Sequence, residues 1–350
     1  MRSSSMSEWV FIRRVLIVFA IGVLAAILWT LSDLLLLIFA AVLSALALRA
    51  LMGPLMEATG LREITALVIV VLLIIAIAAG VVLQFGSRLS DQIAYLAQNA
   101  PTALQSLTER LGIDLQSLSR DFGGTALGEI ASRALTVGSS IIEAIAAFVL
   151  VGVGGLYFAA APGPYRRGFI AVFPERWRNQ VTSTLDDCGF ALTRWLRAQL
   201  IAMAIVGALT GFGMWIVGVP SPLALGLIAA VTEFIPIVGP IVGAIPALLL
   251  ASTMGWELTL AALAVAVVVQ QLENNVIMPF IVGRVVELPA AVGLFATVAM
   301  GLLFGPLGLL LGYPLAIVAD VAIRRLYVRE ALGKTVEIPA ERERKAEEQS

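Results

Sequence analysis

Apolar residues gather into long runs instead of alternating with polar ones, at residues 15–31, 33–48, 64–86, 138–161, 199–219, 223–251, 258–278 and 289–323. A helix of about 20 residues crosses a hydrocarbon core of about 30 Å, and these runs reach or approach that length. A lone strand would leave its backbone groups unsatisfied in lipid, and barrel strands would be about ten alternating residues long. The pattern therefore predicts an all-α polytopic membrane protein with about eight transmembrane segments. The first two runs follow each other so closely that a tight transmembrane hairpin is expected. Arg13 and Arg14 resemble the opening of a secretory signal. No small-residue cleavage site leads from them into a polar mature chain, so the first run is expected to be retained.

Two runs are interrupted. The stretch 220–251 holds Pro236, Pro240 and Pro246. Each proline removes a backbone donor and collides with the preceding turn, so one straight helix through all three is not expected. Two short helices around a break at 235–240 describe it better. The run 289–323 is too long for one simple crossing and is interrupted at LLFGPLG, residues 302–308. The steps Gly239-Pro240 and Gly305-Pro306 each have a second proline downstream, Pro246 and Pro314. Broken segments at membrane depth are tolerated where they are buried in protein or line a cavity, and a pair of them points to a transport site between re-entrant hairpins. Similarity among Gly/Pro-rich helices arising without a repeat is the alternative.

Between the two breaks lies VVVQQLENNVIMP, in which Gln270, Glu273 and Asn274 fall at i, i+3 and i+4 on one helical face. A carboxylate inside a bilayer normally faces a bundle interior, a watery cavity or a partner. Glu233, just before the first break, is a second such acid. On the functional reading the two acids bind a proton, a cation or a polar substrate. On the structural reading they anchor a helix end or make an interhelical hydrogen bond. Asp33, Asp320 and Glu143 rank lower, the first two because they lie at segment ends. Gly207 with Gly211, Gly239 with Gly243, Gly301 with Gly305, and Gly308 with Gly312 have the small-residue spacing of close helix packing.

Charge sets the expected orientation. Residues 162–198 carry six arginines against three acids, whereas 87–133 carry four against five. The positive-inside tendency then places 162–198 in the cytoplasm, 87–133 outside and both termini inside. Arg284 falls outside under this scheme. The resulting division is 1–86, N-terminal transmembrane helices; 87–137, an external amphipathic segment; 138–161, a transmembrane helix; 162–198, a basic cytoplasmic linker with an amphipathic helix; 199–326, a C-terminal transport core; and 327–350, a cytoplasmic tail. In the external segment, Leu89, Ile93 and Leu96, then Leu104, Leu107 and Leu111, recur at helical spacing, as in a pair of helices lying on the membrane or on the bundle.

Composition narrows the chemistry. Hydrophobic residues make up 60% of the 350-residue chain and charged residues 13%, and mean hydropathy is +0.97. This is too little polar surface for a soluble domain. A net charge of −1 offers no general attraction to nucleic acid. With no histidine, histidine proton relays, histidine-ligated zinc and Ser-His-Asp catalysis are excluded. The single cysteine, Cys188, cannot form an internal disulfide and falls on the apolar face of its helix as a packing residue. No nucleotide-binding fingerprint is present, so energy would come from an ion gradient or downhill efflux. No cofactor, metal or enzymatic activity is expected.

The motifs EFIPIVGPIVGAIPA (233–247), QQLENNVIMPFIVGR (270–284) and LLFGPLGLLLGYPLA (302–316), in this order, resemble the autoinducer-2 exporter family of bacterial membrane proteins. The likeness extends over most of residues 10–328. It implies a bacterial inner-membrane transporter. Members are associated with export of the quorum-sensing signal autoinducer-2, and others with sodium/proton antiport. Positions matching the family motifs are Glu233, Pro236, Gly239, Pro240, Gln270, Glu273, Asn274, Pro279 and Gly283. The Gly305-Pro306 break completes the candidate substrate- or ion-binding set. Where many relatives carry a histidine before a proline, this chain has Glu287-Leu288-Pro289, so any proton coupling must proceed without it.

The expected function is a secondary transporter exporting a small polar solute such as autoinducer-2. A monovalent cation/proton antiporter is the alternative, and a non-transporting membrane scaffold or receptor the alternative of another class. The expected partners are the small solute or cation and membrane lipid, and a homo-oligomer is compatible with the sequence.

Overall fold

A computed structural model describes residues 4–77, 79–80, 137–236, 238–277 and 288–331. The apolar runs are helical where they fall on these residues, apart from the break at 233–236 and one or two residues at run ends, and no strand occurs among them. In chain order the helices are α1 (Ser4–Thr30), α2 (Ser32–Thr59), α3 (Glu63–Ile77), α4 (Val137–Ala160) and α5 (Pro162–Ala171). They continue as α6 (Glu175–Val217), α7 (Pro222–Thr232), α8 (Val238–Ser252), α9 (Trp256–Leu272) and α10 (Ala290–Ala322). A π-helical turn, Glu273–Ile277, prolongs α9, and another, Ile323–Ala331, prolongs α10. The amphipathic periods of the external segment, together with Pro279, Gly283 and Arg284, lie outside the described residues.

Among the described residues, five helices are long and apolar enough to cross a membrane, and a sixth span results if α4 and α5, bent by 92°, are taken as one. The remaining apolar runs form the shorter α3, α7 and α8. The chain is thus an all-α polytopic membrane protein. The bend between α4 and α5 falls at Ala161, directly before Pro162. Proline at the first helical position starts a new helix but disfavours a helical residue before it.

The centre of the molecule is α6. At 43 residues it is about 65 Å long, far more than a bilayer core requires, and it runs without interruption across the boundary placed between 198 and 199. Its inner stretch carries Leu192, Trp195 and Leu196, which pack with Leu36, Leu43, Leu311 and Ile317 from α2 and α10. Farther along, Met214 packs with Leu225, Leu250 and Ala262 from α7, α8 and α9. Gly218 ends α6 with φ 87°, its N–H bonding to the Met214 carbonyl at 3.1 Å. Only glycine takes that backbone conformation without steric cost. A separate cluster, Met52, Leu67, Val70 and Ala159, joins α2, α3 and α4.

Both broken runs reverse direction. In the first, α7 and α8 have 11 and 15 residues, about 16 and 22 Å, and neither reaches across about 30 Å of hydrocarbon. A Cβ on Gly243 would lie 3.2 Å from the Ala229 Cα, and one on Gly239 would overlap the Thr232 carbonyl, so the arms are antiparallel with their backbones in contact. In the second, α10 turns at Gly305, with φ 63° and ψ −146°. Here a Cβ on Gly312 would lie 2.6 Å from the Thr297 Cα, and one on Gly301 would lie 3.0 Å from the Leu309 side chain. Residues 290–304 and 306–322 therefore also form antiparallel arms. In each hairpin a threonine on the first arm, Thr232 or Thr297, bonds its hydroxyl to the preceding turn and faces a glycine of the second arm.

Candidate functional site

The site is assembled where α7 stops. Pro236 lacks a donor and Pro240 follows within a turn, so the helix cannot continue through Glu233 to Pro236. Glu233 becomes the last residue in α-conformation, with φ −57° and ψ −19°. The break is short: Ile235 N–H bonds to the Thr232 carbonyl at 3.1 Å, and Gly239 N–H to the Ile235 carbonyl at 2.7 Å. It turns the Glu233 side chain inward, where the residue is 1% exposed.

Glu273 meets it from the end of α9. At the start of the π-helical turn Glu273 is buried, at 4% exposed, while Asn274 next to it is exposed. The two carboxyl groups are neighbours close enough to interact electrostatically. Gln270 Nε2 donates to Glu273 Oε2 at 3.1 Å. Neither oxygen of Glu233 has a hydrogen-bond donor among the described residues. Two facing carboxylates cannot both keep their charge cheaply in an apolar surrounding, so the arrangement calls for a proton or a cation between them.

A cavity of about 30 Å³ adjoins the pair, lined by Glu233, Gln270, Thr210, Pro240, Gly243 and Val269 among others. That volume is on the scale of one or two water molecules. Glycine at 243 keeps the wall open, since a Cβ there would press against the Thr232 hydroxyl at 2.5 Å.

Of the candidate residues, Glu233, Pro240 and Gln270 line this cavity, and Glu273 stands beside it. Pro236 lies in the break and Gly239 is buried at the start of the second arm. Asn274 is joined to the group through Gln270 Nε2, at 3.5 Å, but its own surface is exposed. Gly305 and Pro306 form the tip of the other hairpin and are not on the cavity wall. The hairpins are linked instead by Trp195 of α6, whose ring is 5.7 Å from Phe234 at the first break and 5.7 Å from Tyr313 on the second hairpin.

Sequence reasoning missed two polar residues of α6. Gln199 is 3% exposed and Thr210 8% exposed. Gln199 Nε2 donates to the Glu233 main-chain carbonyl at 2.5 Å. The signal was present: positions 199 and 210 are eleven apart, about three helical turns, so both lie on one face of an otherwise apolar segment.

Comparison with known proteins agrees with this architecture. "Putative transport protein YrrI" of Bacillus subtilis (strain 168) is 38% identical over 148 residues, a stretch covering 42% of this chain and 42% of that protein. "Putative transport protein MT0215" of Mycobacterium tuberculosis (strain CDC 1551 / Oshkosh) is 28% identical over 313 residues, 84% of each chain. "AI-2 transport protein TqsA" of Escherichia coli (strain K12) is 24% identical over 231 residues, 64% of each. Residues 16–327 match the family described as AI-2E family transporter. That match takes in both hairpins and the carboxyl pair between α7 and α9, and the chain belongs to the AI-2E transporter family.

Proposed function

We propose that this protein is a secondary transporter of the bacterial inner membrane that exports a small polar solute, with Glu233 and Glu273 as the proton- or cation-binding site that drives it. The observation that carries the reading is the burial of these two facing carboxyl groups at a broken helix. Intramembrane acids with this placement are typical of ion and proton pathways. A break flanked by short helices is also the common form of a transporter's binding site. The name of the E. coli relative supports autoinducer-2 as the solute class to test first. On this reading the protein is not an enzyme, both termini are cytoplasmic, and residues 162–198 face the cytoplasm.

A second reading, cation/proton antiport without an organic solute, is favoured by one observation. The cavity beside the carboxyl pair, at about 30 Å³, matches an ion or a water more closely than an organic molecule. Purified protein in sealed vesicles separates the two. Efflux of autoinducer-2 under an imposed proton or sodium gradient supports the first. Sodium movement coupled to proton movement, with no solute flux, supports the second. Absence of any gradient-dependent flux would leave a scaffold or receptor.

A further inference from the structure

The last carbonyls of a helix have no partner within the helix itself, and α7 ends at a buried residue. The Glu233 carbonyl is one of them, in a residue 1% exposed, and its donor is the side-chain amide of Gln199, at 2.5 Å and 34 positions away in the chain. Its neighbours on α6, Trp195, Leu196, Ala202 and Val206, are buried and mostly apolar. Packing alone would therefore accept a hydrocarbon at position 199, and an amide there is stable only while it is bonded. The bond falls on the main chain of the same residue whose side chain meets Glu273. Fixing the peptide plane after Glu233 fixes the direction in which its Cα–Cβ bond leaves the break.

We propose that Gln199 is a positioning residue, which through its bond to the Glu233 carbonyl holds the Glu233 side chain against Glu273 and so sets the pH at which the pair exchanges its proton. The inference rests on the carboxyl pair being the coupling site and adds α6 to that site. Around Glu233, α6 presents Gln199 and Thr210, α8 presents Pro240 and Gly243, and α9 with its π turn presents Gln270 and Glu273. Glu273 is the one titratable group among these described neighbours.

The test is a pH titration of the protonated-carboxyl infrared band in purified, reconstituted protein, with the band assigned by its loss in Glu273→Gln. Gln199→Leu keeps the volume and removes the donor; Gln199→Met does the same with a more adaptable shape, should the leucine variant not fold. The expected result is a titration midpoint displaced by about half a pH unit or more, roughly threefold in proton affinity, in folded protein of wild-type yield. A midpoint unchanged from wild type in either folded variant would overturn the role of Gln199 and leave the carboxyl pair intact as the site. If no titrating band is lost in Glu273→Gln, the coupling-site reading fails, and the inference falls with it.

Discussion

Asp187 and Arg325, 138 positions apart in the chain, form an ion pair that ties the first third of α6 to the π turn following the second hairpin. The Asp187 side chain is 2% exposed and that of Arg325 16%. Asp320 and Arg324 bond beside it at 2.9 Å. Removing one partner of a buried pair leaves an uncompensated charge, whereas replacing both by apolar residues is often neutral. Asp187→Asn is therefore expected to cost about 3 kcal/mol of stability, seen as a lower melting temperature in detergent. Asp187→Leu combined with Arg325→Met should recover most of that loss.

At Gly239 the expected effect is steric. A Cβ there would overlap the Thr232 carbonyl and lie 2.9 Å from the Glu233 Cα, so even Gly239→Ala must move the two arms apart. Overpacking of this kind costs about 1–3 kcal/mol, and it would displace Glu233 as well. Gradient-driven flux should fall at least tenfold while membrane insertion is retained. Gly189→Ala is the control: nothing lies within 4 Å of a Cβ at that helical position, and flux should be unchanged.

Glu273→Gln keeps the size of the side chain but cannot ionise. The variant is expected to fold and to lose the pH-dependent part of transport, read as flux in vesicles at several pH values. Flux that keeps the wild-type pH profile would reduce the pair to a structural role.

The proposed orientation rests on arginine placement and is open to labelling. On a Cys188→Ser background, a reagent that does not cross the membrane should modify Ser106→Cys but not Asn179→Cys in intact cells. The opposite pattern would invert the assignment of both termini and the direction of transport.

Much of this was legible in the sequence because it depends on local chemistry. Proline at 236 and 240 forbids a continuous helix wherever it is placed, and a run as apolar as 199–219 has few alternatives to a membrane helix. Glu233 and Glu273 stood out because acids are costly in such surroundings. What could not be read depends on which faces meet. Gln199 stands at the edge of an apolar run, and its importance comes from a carbonyl in another helix that only the break leaves without a partner. The partnership of Asp187 with Arg325 needs the full path of the chain. Asn274 is exposed while Glu273 is buried, although helical spacing put both with Gln270 on one face, because burial depends on which neighbouring helix covers each residue.

The backbone contact at Gly239 and Gly312 has a mechanical consequence. Arms that touch through their main chains have no soft side-chain layer between them, so neither can slide or roll past the other without a collision. Each hairpin then behaves as a stiff lever with its compliance confined to its ends, at the left-handed Gly218 and Ser221 and the positive-φ Gly255 for the first lever. On the proposed function, a motion that carries cargo past the carboxyl pair would swing such a lever as a whole about those short connections, outside the hairpin itself.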